Sequence, residues 1–504
     1  MKIPDKEYFK AFIMKNHFLI IIILLSIAFY SINFSSEVIV GDDAHYMQIG
    51  KSITEGNYPG SFFHRMPLLP GLFADLYSLG IGVIPIRFLL PLFFIILSLV
   101  STFLLARELS GERIAEISTI LLFVFPQFWR WGMKFLADIP LLALSTLSLF
   151  LFIKSLKDKR YFIPTGVVLG LGLLTKIYFI ILPLSMLLYL LIRRRDVFKS
   201  RELWYGVIVS VLIFTPTFYA ITSMESADHF SQVGNVFEAG QNLTPIKQII
   251  TGEYTTVLYL QKLVLFPVLV FIPFGIYYFW KKRNRLPLLY LIIFLAFFFT
   301  LGTVRLRYFA PLYTIIAILV AEGFFYLFNR FKNKTRMLIT VIFSTLVLVS
   351  FINTVYLVSL ESESNFGIDT LSNNIKDLSG TFASDYMPRY LNLTNNVITD
   401  NNFNEEIFYS NFSEDSLLEM EVNYVILSIY GEFARSPSNQ TYHPYYSGIE
   451  LTFIDRPYTG DRVPPDFGFH SELFQEIETS PAFEKAEEIY SPKGQRIFII
   501  YRIV

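Results

Sequence analysis

The chain becomes polar at Gly41-Asp42-Asp43-Ala44-His45-Tyr46, directly after its first long apolar stretch. The polar segment that opens there continues to Leu68. Placing two adjacent carboxylates at the end of a membrane-embedded helix bundle costs free energy, which suggests that they have a function. We therefore expect this segment to face a substrate at the membrane surface.

The composition supports an integral membrane protein. Of the 504 residues, 53% are hydrophobic and the mean hydropathy is +0.48, which is too apolar for an ordinary soluble chain. Lys and Arg total 42, as do Asp and Glu, and this zero net charge argues against a nucleic-acid partner. The absence of cysteine excludes disulfides, thiolate metal sites and cysteine nucleophiles.

Apolar runs of roughly 20 residues predict membrane-spanning helices. The window pattern gives a mainly α, polytopic bundle of about eleven spans, at residues 16–34, 84–106, 114–129, 138–154, 161–177, 178–192, 204–222, 256–280, 286–302, 308–328 and 337–358. The run 161–177 carries Gly166, Gly170 and Gly172, and small residues at this spacing indicate close helix packing. The apolar N-terminal stretch has no cleavage site behind it, so we interpret it as an anchor.

Basic residues mark one set of alternate loops, which predicts a cytoplasmic N-terminus and a multi-pass protein of the cell (plasma) membrane. The loop with Asp42 and Asp43, the loop 223–255 and the C-terminal tail then lie outside. We predict a membrane domain over residues 1–358 and a small extracytoplasmic α/β domain over residues 359–504. Within the second, 424–430 and 496–501 are typical of buried strands, whereas 473–477 and 482–489 resemble helices.

The adjacent acids Asp42 and Asp43 have two interpretations. Ala44–Ile53 has a helical pattern with Tyr46, Ile49 and Ile53 on one face, so the acids could cap that helix or lie in a solvated loop. Alternatively, one carboxylate is a general base that takes the proton from an attacking hydroxyl.

Several cations fall where the positive-inside pattern does not require them, which makes them candidates for binding an anion. Arg65 follows an apolar pair in an amphipathic first-loop region, where it either meets lipid headgroups or clamps a phosphate. His64 beside it is typical of a solvated loop residue. Arg305 and Arg307 either converge on one anion or face water.

Two further residues lie at expected span ends. Asp138 precedes Ile139-Pro140 and is either a helix N-cap or a functional acid. Lys176 lies between two apolar runs and either extends outward to water or binds an anion. Transfer of a group from a phospholipid donor needs positive charge at the leaving phosphate and a base at the attacking hydroxyl, which this set provides.

In order and spacing, residues 15–330 resemble the GT-C superfamily of integral-membrane glycosyltransferases, in particular the protein O-mannosyltransferase and aminoarabinose-transferase group. The segment Asp42–Tyr46 is similar to that group's Asp-Glu-x-x-Tyr pattern, with Asp in place of Glu. The segment Phe63–Pro67 is similar to its Phe-Glu-Lys-Pro-Pro pattern, with His64 in place of the acid. Leu136–Asp138, Gly170–Lys176 and Arg307–Pro311 resemble its later motifs.

The resemblance implies a GT-C-like transferase that moves a sugar from a polyprenyl-phosphate donor to a protein or lipid acceptor, with inversion, on the extracytoplasmic face. Asp42 is then the base, with Asp43 and Asp138 orienting it or the acceptor. Arg65, Lys176, Arg305 and Arg307 hold the donor phosphate, while Tyr46 and His64 complete the first-loop site.

Other assignments stay open from the sequence. A lipid or polysaccharide transporter or flippase would also explain buried polar groups, although no internal repeat is found. Oligosaccharide transfer to asparagine is less favoured, because the Trp-Trp-Asp-Tyr-Gly type of signature is absent. The acids could hold Mg²⁺ or Mn²⁺, but no spacing requires a metal.

Overall fold

The computed structural model of the chain describes residues 6–34, 42–56, 66–223, 267–281, 285–299, 306–364, 382–384, 423–428, 477–490 and 496–504. The chain divides into two compact units. The first comprises Met1–Asn33 and Phe62–Val358, and the second comprises Phe34–Ser61 and Ser359–Val504. The assignment of a membrane domain to 1–358 and an extracytoplasmic domain to 359–504 stays a prediction.

Helices dominate the described residues. Numbered in chain order, they are α1 (Lys6–Asn33), α2 (Asp42–Thr54), α3 (Leu68–Ser78), α4 (Val83–Ser110), α5 (Glu112–Phe123), α6 (Pro126–Gly132), α7 (Asp138–Ser155), α8 (Phe162–Leu173), α9 (Ile181–Arg193), α10 (Arg201–Ser223), α11 (Ile272–Lys281), α12 (Leu286–Phe299), α13 (Tyr313–Arg330) and α14 (Asn333–Ser364). Short 3-10 segments occur at Lys159–Tyr161, Ile177–Ile180, Arg195–Lys199, Pro267–Phe271 and Leu306–Leu312. All helices except α2 belong, wholly or for most of their length, to the first unit.

The helices have the lengths and surfaces of membrane spans. Among the described residues, four are long and apolar enough to cross a bilayer, at Val83–Ser110, Asp138–Ser155, Arg307–Arg330 and Asn333–Val358. Shorter apolar helices lie at His17–Asn33, Ile177–Arg193, Pro267–Lys281 and Leu286–Phe298. Large aliphatic side chains on α10 and α14, such as Leu212 and Val341, are more than half exposed. Such contiguous apolar surface is unfavourable in water and suits contact with lipid.

Each of the eleven predicted spans overlaps a described helix, although residues 256–266 and 300–302 lie outside the described residues. The prediction of one span at 114–129 is wrong, because α5 ends at Phe123 and α6 begins at Pro126. Proline lacks the N–H that would continue the helix, and it is well placed at the first position of a new one. The indole N–H of Trp129 donates to the carbonyl oxygen of Phe123 at 2.5 Å, which satisfies an acceptor at the break.

Hydrogen bonds and close contacts at glycine stabilise the packing of the helices, because the hydrophobic effect contributes little to helix association within lipid. The hydroxyl of Thr314 on α13 bonds Thr102 of α4 at 2.7 Å and Thr146 of α7 at 3.0 Å. On α8, a Cβ built at Gly166 would lie 2.0 Å from the backbone oxygen of Gly206 on α10. The glycine spacing in 161–177 therefore permits close packing, as predicted.

The second unit contains a four-stranded sheet, with β1 (Phe382–Ser384), β2 (Tyr424–Ser428), β3 (Phe483–Tyr490) and β4 (Arg496–Ile503) in the order β1-β2-β4-β3. β1 is parallel to β2, and β4 is antiparallel to both β2 and β3. The predicted strands at 424–430 and 496–501 are confirmed over their described residues. Their apolar runs supply buried side chains such as Val425 and Ile500.

The helix predicted over 482–489 is wrong, because this segment forms β3. Its Glu, Lys and Ala residues favour helices when isolated, but pairing along the whole of β4 overrides that preference. A register shift between Lys485 and Glu487 accommodates the pairing. The predicted helix at 473–477 lies outside the described residues except for Ile477, which begins a single turn.

Candidate active site

A buried ion pair joins the start of α7 to the segment after α8. The Nζ atom of Lys176 donates to Oδ1 of Asp138 at 2.6 Å. The Asp138 side chain is only 1% exposed and that of Lys176 is 15% exposed. Taking both charges out of water is expensive unless they are paired, so the pair marks a place where charge is needed.

The structure excludes the non-functional alternative for each of these residues, and their functional roles stay predictions. Asp138 is not the N-cap, because it is the first residue of α7 and follows the cap residue Ala137. Its carboxylate still benefits from the positive end of the helix dipole. Lys176 does not extend outward to water, because its ammonium group is directed to Asp138.

The 3-10 segment Leu306–Leu312 brings Arg307 and Tyr308 to the same place. The Nζ atom of Lys176 lies 5.5 Å from the centroid of the Tyr308 ring, and Cζ of Arg307 lies 5.7 Å from it. The Tyr178 ring is 5.6 Å from Lys176 and packs edge-on against Tyr308 at 6.0 Å. Electron-rich ring faces stabilise nearby cations, so the two tyrosines help to hold positive charge here.

Chain topology explains the convergence. Asp138 starts α7, Lys176 follows the end of α8, and Arg307 precedes α13, so all three lie at the same end of the bundle. The 18 residues of α7 separate this end from the other by about 27 Å. The opposite end has its own polar contacts, including Lys157 with Glu108 at 2.5 Å and Ser110 with Glu322.

The short helix α6 lies in the same region, in contact with α7 and with the segment Leu306–Leu312. Cζ of Arg130 lies 5.0 Å from the centroid of the Trp131 ring, and Nζ of Lys134 lies 5.3 Å from it. The Tyr313 ring packs edge-on against Phe125 at 4.5 Å. A second group of aromatic and charged side chains therefore lies on and next to a helix that contacts α7.

The first-loop acids belong to the second unit. α2 begins at Asp42, so both acids lie in its first turn, and the predicted helix over 44–53 is confirmed. Asp43 and Tyr46 are only 2% and 3% exposed, so Asp43 is not a solvated loop residue. The position of Asp42 in α2 is described but its side chain is not. His64, Arg65 and Arg305 lie outside the described residues.

The sequence analysis missed three buried polar residues in the first unit. Arg87 on α4 is 2% exposed, and its carbonyl oxygen accepts a hydrogen bond from Tyr30. Gln127 on α6 is also 2% exposed and Tyr313 on α13 is 3% exposed. A lone polar side chain within an apolar run is the signal that could have identified the first two.

A metal could not be placed from the structure. Within the described ranges, no group of three or more His, Asp or Glu side chains could hold a metal ion. The predicted first-loop site includes residues beyond those ranges, so Mg²⁺ or Mn²⁺ dependence stays open. Around Asp138, the described groups instead suit an anion, since the two cations beside the Tyr308 ring, Lys176 and Arg307, outnumber the single carboxylate.

Comparison with known proteins gives a family match and several structural matches. Residues 71–219 match the family described as dolichyl-phosphate-mannose-protein mannosyltransferase, a range that includes Asp138 and Lys176. No curated protein matches the chain at the sequence level.

Solved structures of membrane transferases share the fold. ArnT from Cupriavidus metallidurans, bound to undecaprenyl phosphate, matches with a TM-score of 0.64 and 12% identity over 96% of this chain and 98% of its own. The oligosaccharyltransferase AglB from Archaeoglobus fulgidus matches with a TM-score of 0.53 and 15% identity over 82% of this chain and 69% of its own. The arabinofuranosyltransferase AftD from Mycobacteria matches with a TM-score of 0.55 and 11% identity over 97% of this chain and 41% of its own.

These matches lend no support to the transporter alternative. The matched family and the three structures are all transferases, and the fold of ArnT corresponds over nearly the full length of both chains. The similarity extends through the bundle that brings Asp138 and Lys176 together. The chain therefore shares the fold of these integral-membrane transferases, and its residues 71–219 are similar to the mannosyltransferase family.

Proposed function

We propose that the chain transfers a sugar from a polyprenyl-phosphate donor to a protein or lipid acceptor on the extracytoplasmic face of the cell membrane. The observation that carries this proposal is the cluster of Asp138, Lys176, Arg307 and Tyr308 at one end of the bundle. It combines confined positive charge with a membrane fold shared with a transferase structure that contains undecaprenyl phosphate.

The cluster suits a phosphate leaving group. As the bond from the sugar to the phosphate breaks, negative charge develops on the phosphate, and nearby cations stabilise that charge without a proton donor. Arg307 offers a fork of donors that matches phosphate oxygens. Asp138 keeps Lys176 in a fixed position, so the ammonium group is already oriented when the donor arrives.

Asp42 is the proposed base, and Asp43 its supporting acid. The attacking hydroxyl must lose a proton as it bonds to the anomeric carbon, and a carboxylate within reach accepts it. One displacement of this kind inverts the anomeric configuration. Arg65 and Arg305 are proposed to add to the phosphate site, and Tyr46 and His64 to complete the first-loop site.

The orientation rests on the basic loops. At the end of the bundle opposite Asp138, α7 is followed by Lys157, Lys159 and Arg160, and α9 ends at Arg193. An excess of Lys and Arg favours the cytoplasmic side, which places Asp138 and Lys176 at the extracytoplasmic side and the N-terminus in the cytoplasm. The segment 359–504 then lies outside and is proposed to shape acceptor choice.

Transfer of an oligosaccharide to asparagine is a weaker candidate despite the fold shared with AglB. All four tryptophans of the chain occur before residue 281, so segment 359–504 cannot contain a Trp-Trp-Asp-Tyr-Gly type of signature.

The test is transfer from a panel of radiolabelled polyprenyl-phosphate sugars by membranes that contain the wild type or Asp42→Asn. The proposal predicts product from at least one donor with the wild type and a loss of about 100-fold or more with Asp42→Asn. Asp43→Asn and Asp138→Asn are compared in parallel at matched protein levels. If Asp42→Asn transfers normally, the base is another acid, and if no donor is used the proposed function is wrong.

A further inference from the structure

Gln127 has an unusual environment. The residue is only 2% exposed, and neither its Oε1 nor its Nε2 atom has a hydrogen-bond partner among the described residues. A buried amide without partners is unfavourable, and native proteins rarely retain one without a reason. The amide is therefore a candidate for binding a group that is not part of the chain.

The geometry of α6 shows which side of the helix the amide occupies. Residues three and four apart share a helix face, so Gln127 lies on the side of Arg130 and Trp131. Trp129 lies on the opposite side, where its ring contacts Phe29 of α1 at 4.5 Å and Phe123 at 5.4 Å. One side of α6 is therefore packed against aromatic residues, and the other is polar.

The helix that carries Gln127 adjoins the ion-pair cluster. α6 contacts α7, which begins at Asp138, and it contacts the segment Leu306–Leu312, which contains Arg307. Asp138 in turn binds Lys176. Gln127 therefore lies on a helix that packs against two elements of the cluster that the proposed function assigns to the donor phosphate.

The chemistry of an amide distinguishes between the parts of the donor. Phosphate oxygens accept hydrogen bonds and cannot donate one to Oε1, whereas a sugar hydroxyl both donates and accepts. Two neighbouring hydroxyls can satisfy Oε1 and Nε2 of one amide together. The sugar is bonded directly to the phosphate, so a group adjacent to the phosphate site is placed to meet it.

Resting on the proposed function, we propose that Gln127 is a specificity-determining residue that binds neighbouring hydroxyl groups of the transferred sugar. A substrate then satisfies an amide for which the described residues provide no hydrogen-bond partner. Replacing Gln127 by an apolar residue should therefore preserve or raise the stability of the protein while it weakens recognition of the sugar. A glutamine with only a structural role would not give this combination.

The experiment compares the full-length wild type with Gln127→Leu and, as the matched control, Ser148→Ala. Ser148 is also buried, and its hydroxyl has no hydrogen-bond partner in the part of the chain that the structure describes. It lies ten residues along α7 from Asp138, or about 15 Å. Thermal unfolding is measured in nanodiscs, with and without the polyprenyl-phosphate sugar that the wild type uses best. Transfer is measured with that donor and with its deoxy analogues.

The proposal predicts that both variants unfold at or above the wild-type temperature, because each removes a buried polar group without partners. Gln127→Leu should lower kcat/KM by about 10- to 100-fold, lose discrimination against one deoxy donor and show less stabilisation by the intact donor. Ser148→Ala should transfer as the wild type does. Loss of stability in Gln127→Leu with unchanged donor discrimination would overturn the inference.

Failure of the two proposals gives different results. If the wild type transfers from no donor, the polyprenyl-phosphate sugar that raises its unfolding temperature most is used instead, and loss of that stabilisation in Gln127→Leu supports sugar recognition without transfer. Equal stabilisation of the wild type and Gln127→Leu would contradict sugar recognition. If Gln127→Leu changed only the kinetics with respect to the acceptor peptide or lipid, Gln127 would bind the acceptor, and the inference would also be overturned.

Discussion

Replacing Lys176 by methionine should destabilise the protein by about 3 kcal/mol, which is toward the lower end for breaking a buried ion pair. Methionine keeps most of the apolar stem, so the main change is the loss of the ammonium group. Asp138 is 1% exposed and would lose its partner at 2.6 Å, leaving a buried carboxylate without compensation. The partial exposure of Lys176, 15%, gives water some access and moderates the cost.

The double variant Asp138→Leu with Lys176→Met separates the cost of the unpaired charge from the value of the pair. Replacing both charges by apolar groups of similar volume is often neutral, so this variant should recover to within about 1 kcal/mol of the wild type. Unfolding in mixed micelles gives the free energies for a double-mutant cycle. Single variants as stable as the wild type, or effects that simply add, would refute the coupling of these two residues.

Three further predictions concern packing and the cation cluster. Gly275→Ala should lower the free energy of unfolding by at least about 2 kcal/mol, because its Cβ would lie 1.8 Å from the backbone oxygen of Leu319. Gly71→Ala is the control, because a Cβ at Gly71 has open space and should leave the protein as stable or more stable. Equal unfolding midpoints for the two variants would contradict this difference in packing. Thr314→Val should lower the free energy of unfolding by about 1 kcal/mol, because it removes two interhelical hydrogen bonds. An unchanged free energy of unfolding would contradict a stabilising role for these hydrogen bonds. Tyr308→Leu should lower kcat/KM for the lipid donor about tenfold, since two cations lie within 6 Å of its ring, and unaltered kinetics would exclude that role.

The helices were largely predictable because apolar runs dominate their formation in a membrane protein. α4, α7 and α10 overlap runs that the hydropathy pattern identified without any tertiary information. The break between α5 and α6 was also present in the sequence, at Pro126, but the apolar residues on both sides concealed it. β3 was not predictable from its own residues, because its Glu and Lys content favours a helix and only pairing with β4 decides otherwise.

The sequence identified candidate residues but not the contacts between them. Asp138 and Lys176 were singled out separately, as a candidate acid and a candidate anion ligand, from their positions at span ends. Their contact joins residues 38 positions apart and depends on how α7 packs beside α8. Gln127 was missed because one amide among aromatic residues changes the hydropathy little. Only the tertiary structure shows that its amide is buried and has no hydrogen-bond partner among the described residues.

The most direct test of the account is equilibrium binding of a polyprenyl phosphate to the full chain in nanodiscs, comparing the wild type with Arg307→Met and Lys157→Met. Both substitutions remove one positive charge, but Arg307 lies beside Tyr308 and Lys157 pairs with Glu108 at the other end of the bundle. The account predicts that Arg307→Met raises the Kd at least about tenfold, as expected for loss of a charge-assisted contact, while Lys157→Met leaves it unchanged. Equal affinities for the wild type and Arg307→Met, or equal losses in both variants, would contradict a donor phosphate site at this cluster.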